Sequence, residues 1–305
     1  MKPTPQWLTI DDEVVEALRD GQAVVALEST VITHGLPRPV NFELACEMES
    51  IVRQGGAVPA TVAVTEGRAR LGLKRAELER LALSAEPMKV SRRELAVTIA
   101  QAADGGTTVA ATAYVAWQAG VRVFATGGIG GVHRGDSGDI SADLPALAET
   151  PIGVVCSGAK AILDLPKTLE WLETGGVPVL GWKTDQLPAF VSRSSGLKVP
   201  LRVDEIETAA AVVRAHWAVG LQSAVLLTVP CPEEAAVSDD LMENALQTAE
   251  KRAKADNISG GALTPYLLSA VSELTSGASL EANLALLRNN ARVAAAWAAA
   301  LAAPR

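Results

Sequence analysis

Residues 121 to 144 read VRVFATGGIGGVHRGDSGDISADL. The first eight, VRVFATGG, are a β-branched and aromatic run that stops at a pair of glycines, the pattern of a short strand buried on both faces. From Gly127 to Leu144 the chain then places six glycines, one of its three histidines and three aspartates in eighteen residues. Glycine suits backbone that turns sharply or lies close against something else, and it costs ordering entropy that a plain connection has no reason to spend. A ligand beside this loop is the expectation.

Outward from that stretch, apolar runs of strand length alternate with amphipathic runs of helix length. Asp11 to Leu18 reads as a helix with Val14, Val15 and Leu18 on one face, and Gly21 ends it before the strand AVVALEST. Phe42 to Arg53 is helical, Thr61 to Thr65 is strand-like, Arg68 to Leu83 is helical, and Ser91 caps RRELAVTIAQAA. Beyond the glycine stretch, Ile152 to Gly158 is a strand, followed by a Leu- and Glu-rich helix ending at Gly175-Gly176, the strand VPVLGW and the strand Ala224 to Pro230. From Ser238 onward the pattern is mostly helix, including an alanine-rich run from Leu280 to Leu301. The expectation is α/β: three layers, α/β/α, with a mixed, largely parallel sheet and a helical C-terminal region, in a single domain over residues 1–305.

Composition narrows the partners. A chain of 305 residues, 49% apolar and 20% charged, can bury a large core. Its formal charge is -8 and no Lys/Arg cluster is interleaved with aromatics, which argues against a nucleic-acid polymer and for a small-molecule substrate. Cys46, Cys156 and Cys231 are odd in number and lack C-x-x-C spacing, so neither a disulfide framework nor a structural zinc site is expected. No run of eighteen apolar residues and no signal-like N-terminus appears. These features predict a cytoplasmic protein without a membrane partner.

In an open α/β sheet, ligands sit beyond the carboxyl ends of the strands. Glu28 ends AVVALEST, the glycine stretch ends VRVFATGG, and Lys160 follows VVCSGA. A lone charge at a strand end is usually a solvated loop side chain; three features at one edge are harder to dismiss. A lysine half withdrawn from water gives up its proton more readily, and the neutral amine can attack a sugar aldehyde to form a Schiff base. Cys156 is the rival nucleophile, although free cysteines on apolar strands mostly serve as small hydrophobes. Asp139 and Asp143 stand four apart at the expected start of a helix, DISADLPALAE, where they either cap it or hold a hard divalent cation. His133 and Arg134 could bind an anion with the glycine-loop N–H groups. GGIGGVH lacks the third glycine of a dinucleotide fingerprint, and no Gly-Lys-Ser/Thr marks a phosphate-binding Walker loop.

The segments ALESTVITHGLPRPVN, GAVPATVAVTEG, VFATGGIGGVHRG, DISADL, VVCSGAKAILD, TLEWLETGGVPVLGW, TPYLL and SLEANLALLRNNA together resemble the pseudouridine-5'-phosphate glycosidase, or indigoidine synthase A-like, family. The resemblance runs from about Ala26 to Ala295. It implies a metal-dependent, reversible cleavage of pseudouridine 5'-phosphate to uracil and ribose 5-phosphate by a homotrimer of α/β/α fold. By the same resemblance Lys160 is the Schiff-base nucleophile, Glu28 the proton donor and Asp139 the ligand of manganese or another hard divalent cation. Lys89, Val109, Ser141, Ala142 and Asp143 would contact substrate, and Asn283, Thr126 and His133 would hold its phosphate. Two departures stand out: the short spacer Asp136-Ser137-Gly138 between HRG and DISAD, and Gly261 where the family has lysine. The first bears on the metal side and the second on C-terminal contacts, while Glu28 and Lys160 are untouched. Two other readings remain open: a different Schiff-base phosphosugar lyase or a relative specialised for another nucleobase, and a binding protein that keeps the fold for a nucleotide phosphate.

Overall fold

A computed structural model describes residues 4–135, 138–258 and 263–303. Seven parallel strands form its centre, in the spatial order Val58–Thr65, Val24–Leu27, Val123–Ala125, Gly153–Cys156, Val225–Thr228, Val179–Trp182, Leu201–Val203. The run that begins at Val121 supplies Val123–Ala125, which pairs with Val24–Leu27 on one side and Gly153–Cys156 on the other. All residues of these three strands are buried, as expected where helices cover both faces of a sheet.

The long helix Ala278–Ala302 packs across the same three strands and against the helices Val40–Gln54 and Ile206–Ala218. Val109–Ala119 packs against the strands Val24–Leu27 and Val123–Ala125 and neighbours the helices Arg92–Ala100 and Asp143–Glu149. The result is the α/β/α arrangement with a largely parallel, mixed sheet. The C-terminal part is helical, with Asp239–Ala255, Leu263–Leu274 and Ala278–Ala302.

One expectation is corrected near the N-terminal edge. Arg68 to Leu83 is not one helix: Arg68–Leu71 is a strand antiparallel to Val62 to Thr65, and the helix begins at Arg75. Glu66 and Gly67, both at positive φ (53° and 74°), make the two-residue hairpin turn. The four residues RARL alternate, with Ala69 and Leu71 buried and Arg68 exposed, a period of two that a short window inside a longer helical pattern conceals. Among the strands not foreseen, Met88–Val90 and Gly105–Thr107 pair in parallel and join Val58–Thr65 through the second of them. Among the described residues no helix is long and apolar enough to cross a membrane.

Candidate active site

Three neighbouring strands deliver the central groups. Glu28 directly follows Val24–Leu27, Thr126 directly follows Val123–Ala125, and Lys160 lies four positions beyond Gly153–Cys156. Adjacent parallel strands end at one edge, so side chains far apart in sequence meet there. A cavity of about 230 Å³ opens at this edge, and Glu28, Lys89, Val109, His133, Ser141, Ala142, Asp143, Lys160 and Asn283 all line it.

Glu28 is 7% exposed. The Thr126 hydroxyl donates to its Oε1, and the Thr30 hydroxyl donates to Oε2 at 2.6 Å. Burial holds the carboxyl above its ordinary range; the charge of Lys160 and the two hydroxyls pull it the other way. Thr126 therefore stands behind Glu28, fully buried, and is not part of the cavity wall. Burial, reinforced by the charge of Lys160, moves the Lys89 ammonium below its ordinary range.

The loop that carries Lys160 is held by short backbone links. The Lys160 N–H donates to the Ile129 carbonyl and the Ile129 N–H to that of Gly158, each at 3.1 Å. Gly158 has φ 77°, and a Cβ there would overlap the Pro188 carbonyl, so the small residue in CSGAK is a steric requirement. Cys156 is buried on its strand and its thiol is pushed up to about 12 by desolvation, which leaves it a packing residue.

The glycine stretch departs from expectation in one respect. At Gly130 the close approach is to protein: a Cβ would overlap the Ser141 hydroxyl and lie 2.8 Å from Asp143 Oδ2. Asp143 in turn accepts from the Gly130 N–H at 2.8 Å and from the Ala110 N–H at 2.9 Å. Its carboxylate thus caps the helix Val109–Ala119 while fixing the loop. Asp139 and Asp143 do not share a helix start. The helix begins at Asp143, and Asp139 lies in an extended link in which Ile140 bridges Val132.

Asp139 is outside the cavity wall, with its side chain 43% exposed and Oδ2 3.8 Å from Nε2 of His133. No group of three or more His, Cys, Asp or Glu side chains gathers as a metal cage among the described residues. One carboxylate beside an imidazole fits a hard divalent cation that retains several waters, not a fully protein-enclosed ion. Asp136, Ser137 and Gly261, where the sequence departs from the family pattern, lie outside the described residues.

Two further residues were not signalled by motif reading. His34 sits in the π-helical turn Val31–Gly35, lines the cavity and pairs through Nδ1 with the Thr33 hydroxyl at 2.7 Å. Burial, then the charge of Lys89, lowers its pKa. Six residues beyond Glu28, only the π turn brings it back to the site. Phe190, at positive φ, closes over Gly128 from a distant loop.

The fold and this cleft define an α/β/α protein whose strand ends form a small-molecule site with a buried carboxyl group and two lysines. The chain belongs to the indigoidine synthase A-like family, whose model (Indigoidine synthase A like protein) matches residues 13–300. It is 50% identical over 292 residues, covering 95% of both chains, to a pseudouridine-5'-phosphate glycosidase of Caldanaerobacter subterraneus subsp. tengcongensis. It is 52% identical over 296 residues, 96% of this chain and 98% of the other, to the protein of that name from Herpetosiphon aurantiacus. Among solved structures, the prealnumycin C-glycosynthase AlnA in complex with ribulose 5-phosphate superposes with a TM-score of 0.91 at 42% identity, covering 98% of each chain. An indigoidine synthase A (IdgA)-like protein of Thermotoga maritima gives 0.89 at 34% identity, over 97% of each chain.

Proposed function

We propose that this chain reversibly cleaves the carbon-carbon glycosidic bond of pseudouridine 5'-phosphate, giving uracil and ribose 5-phosphate. The meeting of Glu28 and Lys160 in one cavity carries the reading, and near full-length similarity to proteins named for this activity supports it. A carbon-carbon bond offers no heteroatom leaving group to protonate, so the two-carboxylate scheme of ordinary glycosidases does not apply. Another electron sink is needed.

The Lys160 amine attacks C1' of the ribose, the bond from C1' to the ring oxygen breaks, and a proton passes from the nitrogen to that oxygen. Glu28, whose carboxyl is held above its ordinary range, delivers a proton to the uracil carbon that bears the sugar. The nitrogen lone pair then forms a C=N bond at C1' as the carbon-carbon bond breaks, and the released pair restores the uracil ring double bond. Water hydrolyses the imine, freeing ribose 5-phosphate and returning the amine. Lys89, His133 and Asn283 hold the phosphate as a remote handle that fixes the reacting atoms. A hard divalent cation such as manganese, held by Asp139, supplies positive charge for the anionic substrate when bound. A homotrimer in the cytoplasm belongs to the same reading.

Incubation with pseudouridine 5'-phosphate and manganese should release uracil and ribose 5-phosphate in equal amounts, followed by chromatography at the ultraviolet maximum of uracil. No uracil from folded, metal-loaded protein would refute the activity. The C-glycosynthase similarity at 42% identity favours one alternative, the same sugar-phosphate chemistry with another acceptor. Running the reaction toward synthesis with uracil and ribose 5-phosphate separates the two.

A further inference from the structure

We propose that Asn290 is a positioning residue that holds the Thr126 and Lys160 strand ends in register, and through the Thr126 hydroxyl the Glu28 carboxyl; the inference rests on the reading of Glu28 and Lys160 as the reacting pair. Asn290 lies in the middle of the helix Ala278–Ala302 and is fully buried. A carboxamide among leucines and alanines costs stability unless its polar atoms are satisfied. Its Nδ2 donates to the Thr126 carbonyl at 2.8 Å and to the Ser157 hydroxyl at 3.1 Å, and lies 3.4 Å from the Gly127 carbonyl. The Ser157 N–H donates to the Gly127 carbonyl at 2.8 Å and closes the group.

The position of this clamp gives it consequence. The parallel ladder between the two strands runs to Ala125 and Val155, and the Thr126 N–H makes one further bond to the Val155 carbonyl. Beyond it the chains are joined by separate backbone bonds, Ser157 N–H to the Gly127 carbonyl, Ile129 N–H to the Gly158 carbonyl and Lys160 N–H to the Ile129 carbonyl; one chain carries the hydroxyl that grips Glu28, the other reaches Lys160 three residues after Ser157. Asn290 adds a side-chain tie to both chains at the point where the regular ladder ends. Asn283 and Leu287, two turns and one turn earlier on the same helix, line the cavity itself. The helix therefore helps to fix the acid relative to the nucleophile and supplies part of the wall.

Asn290→Leu keeps approximate volume and removes both donors. Uracil release should fall by on the order of tenfold or more in kcat, because small displacements of reacting groups are costly. KM should stay within about threefold, since the groups that hold the phosphate are untouched. The pH-rate limb due to Glu28 should move to higher pH as the grip of Thr126 loosens. Amide hydrogen exchange should rise together in residues 126–131 and 157–160. A lower melting temperature with unchanged kcat per folded molecule, an unchanged pH profile, or exchange rising in only one loop would overturn the proposal. So would a raised KM at constant kcat. Ser157→Ala removes one arm of the clamp with less risk to folding and should give a smaller loss of kcat at constant KM; an unchanged kcat would overturn the proposal equally. If the wild type releases no uracil, the glycosidase reading fails on its own, and the exchange measurement still decides whether Asn290 couples the two loops.

Discussion

The hydroxyl of Thr126 donates to the carboxylate of Glu28 across 98 positions of sequence, from the end of one strand to the end of its neighbour. With Thr30 on the other oxygen, Glu28 has two donors that favour the anion inside an environment whose burial favours the acid. The burial is the larger effect and holds the carboxyl above its ordinary range, as the proposed role of proton donor requires.

That balance has a stability consequence with a definite sign. Because the folded-state pKa of Glu28 is raised, its contribution to stability is complete below the ordinary carboxylate range and is lost as pH rises through the raised value. Glu28→Gln is neutral throughout and escapes the loss. Its melting midpoint should match the wild type near pH 4 and exceed it by roughly a few degrees at pH 8, while uracil release disappears. Equal midpoints at both pH values would show that the carboxylate is no costlier folded than unfolded.

Lys160→Arg keeps a cation of similar bulk that cannot form an imine. It should fold and bind ribose 5-phosphate but release no uracil. Borohydride added to wild type with ribose 5-phosphate should leave a reduced adduct that peptide mapping places on Lys160. An adduct on another lysine, or comparable turnover by the arginine variant, removes Lys160 from the chemistry.

Lys89→Ala should weaken ribose 5-phosphate binding by about 1 to 3 kcal/mol, the scale of a hydrogen bond to a charged group. In the wild type, calorimetric affinity should decline as pH rises, starting below the range of an ordinary lysine, because burial and Lys160 lower the Lys89 pKa. Unchanged affinity in the variant would place the phosphate elsewhere.

Asp139→Ala should abolish metal-dependent activity with little change in melting temperature, since its side chain is 43% exposed. The check is activity after chelation and manganese titration. Full recovery in the variant would take Asp139 out of the metal site.

Asp143→Asn places an amide N–H against one of two backbone donors, Ala110 or Gly130. The cost should be about 1 to 3 kcal/mol of folding stability, read by denaturant titration. A variant as stable as the wild type would mean the loop is held without this carboxylate.

Much of this architecture is legible in local pattern. Short apolar runs such as VRVFA and GVVC report strands buried on both faces, and the alternation with helical periods implies a covered, largely parallel sheet. Glu28, the glycine loop and Lys160 could be placed at one edge because the carboxyl ends of parallel strands are where loops gather. Period and position in the chain are properties of neighbours in sequence, and these readings need nothing more.

What local pattern could not supply depends on contacts between distant segments. Arg68–Leu71 became a strand because Val62 to Thr65 offered a partner and Glu66-Gly67 a turn. Gly130 is required by Ser141 and Asp143, while Thr126 turned from a wall residue into the support of Glu28. His34 reached the site through a π-helical turn, and Asn290 acquired its partners from two strands more than 130 residues away. Sequence alone determined which groups stand at the strand ends. Tertiary structure decided which of them face the cavity and which hold the others in place, because hydrogen bonds and burial between remote segments exist only once the sheet and its helices have closed.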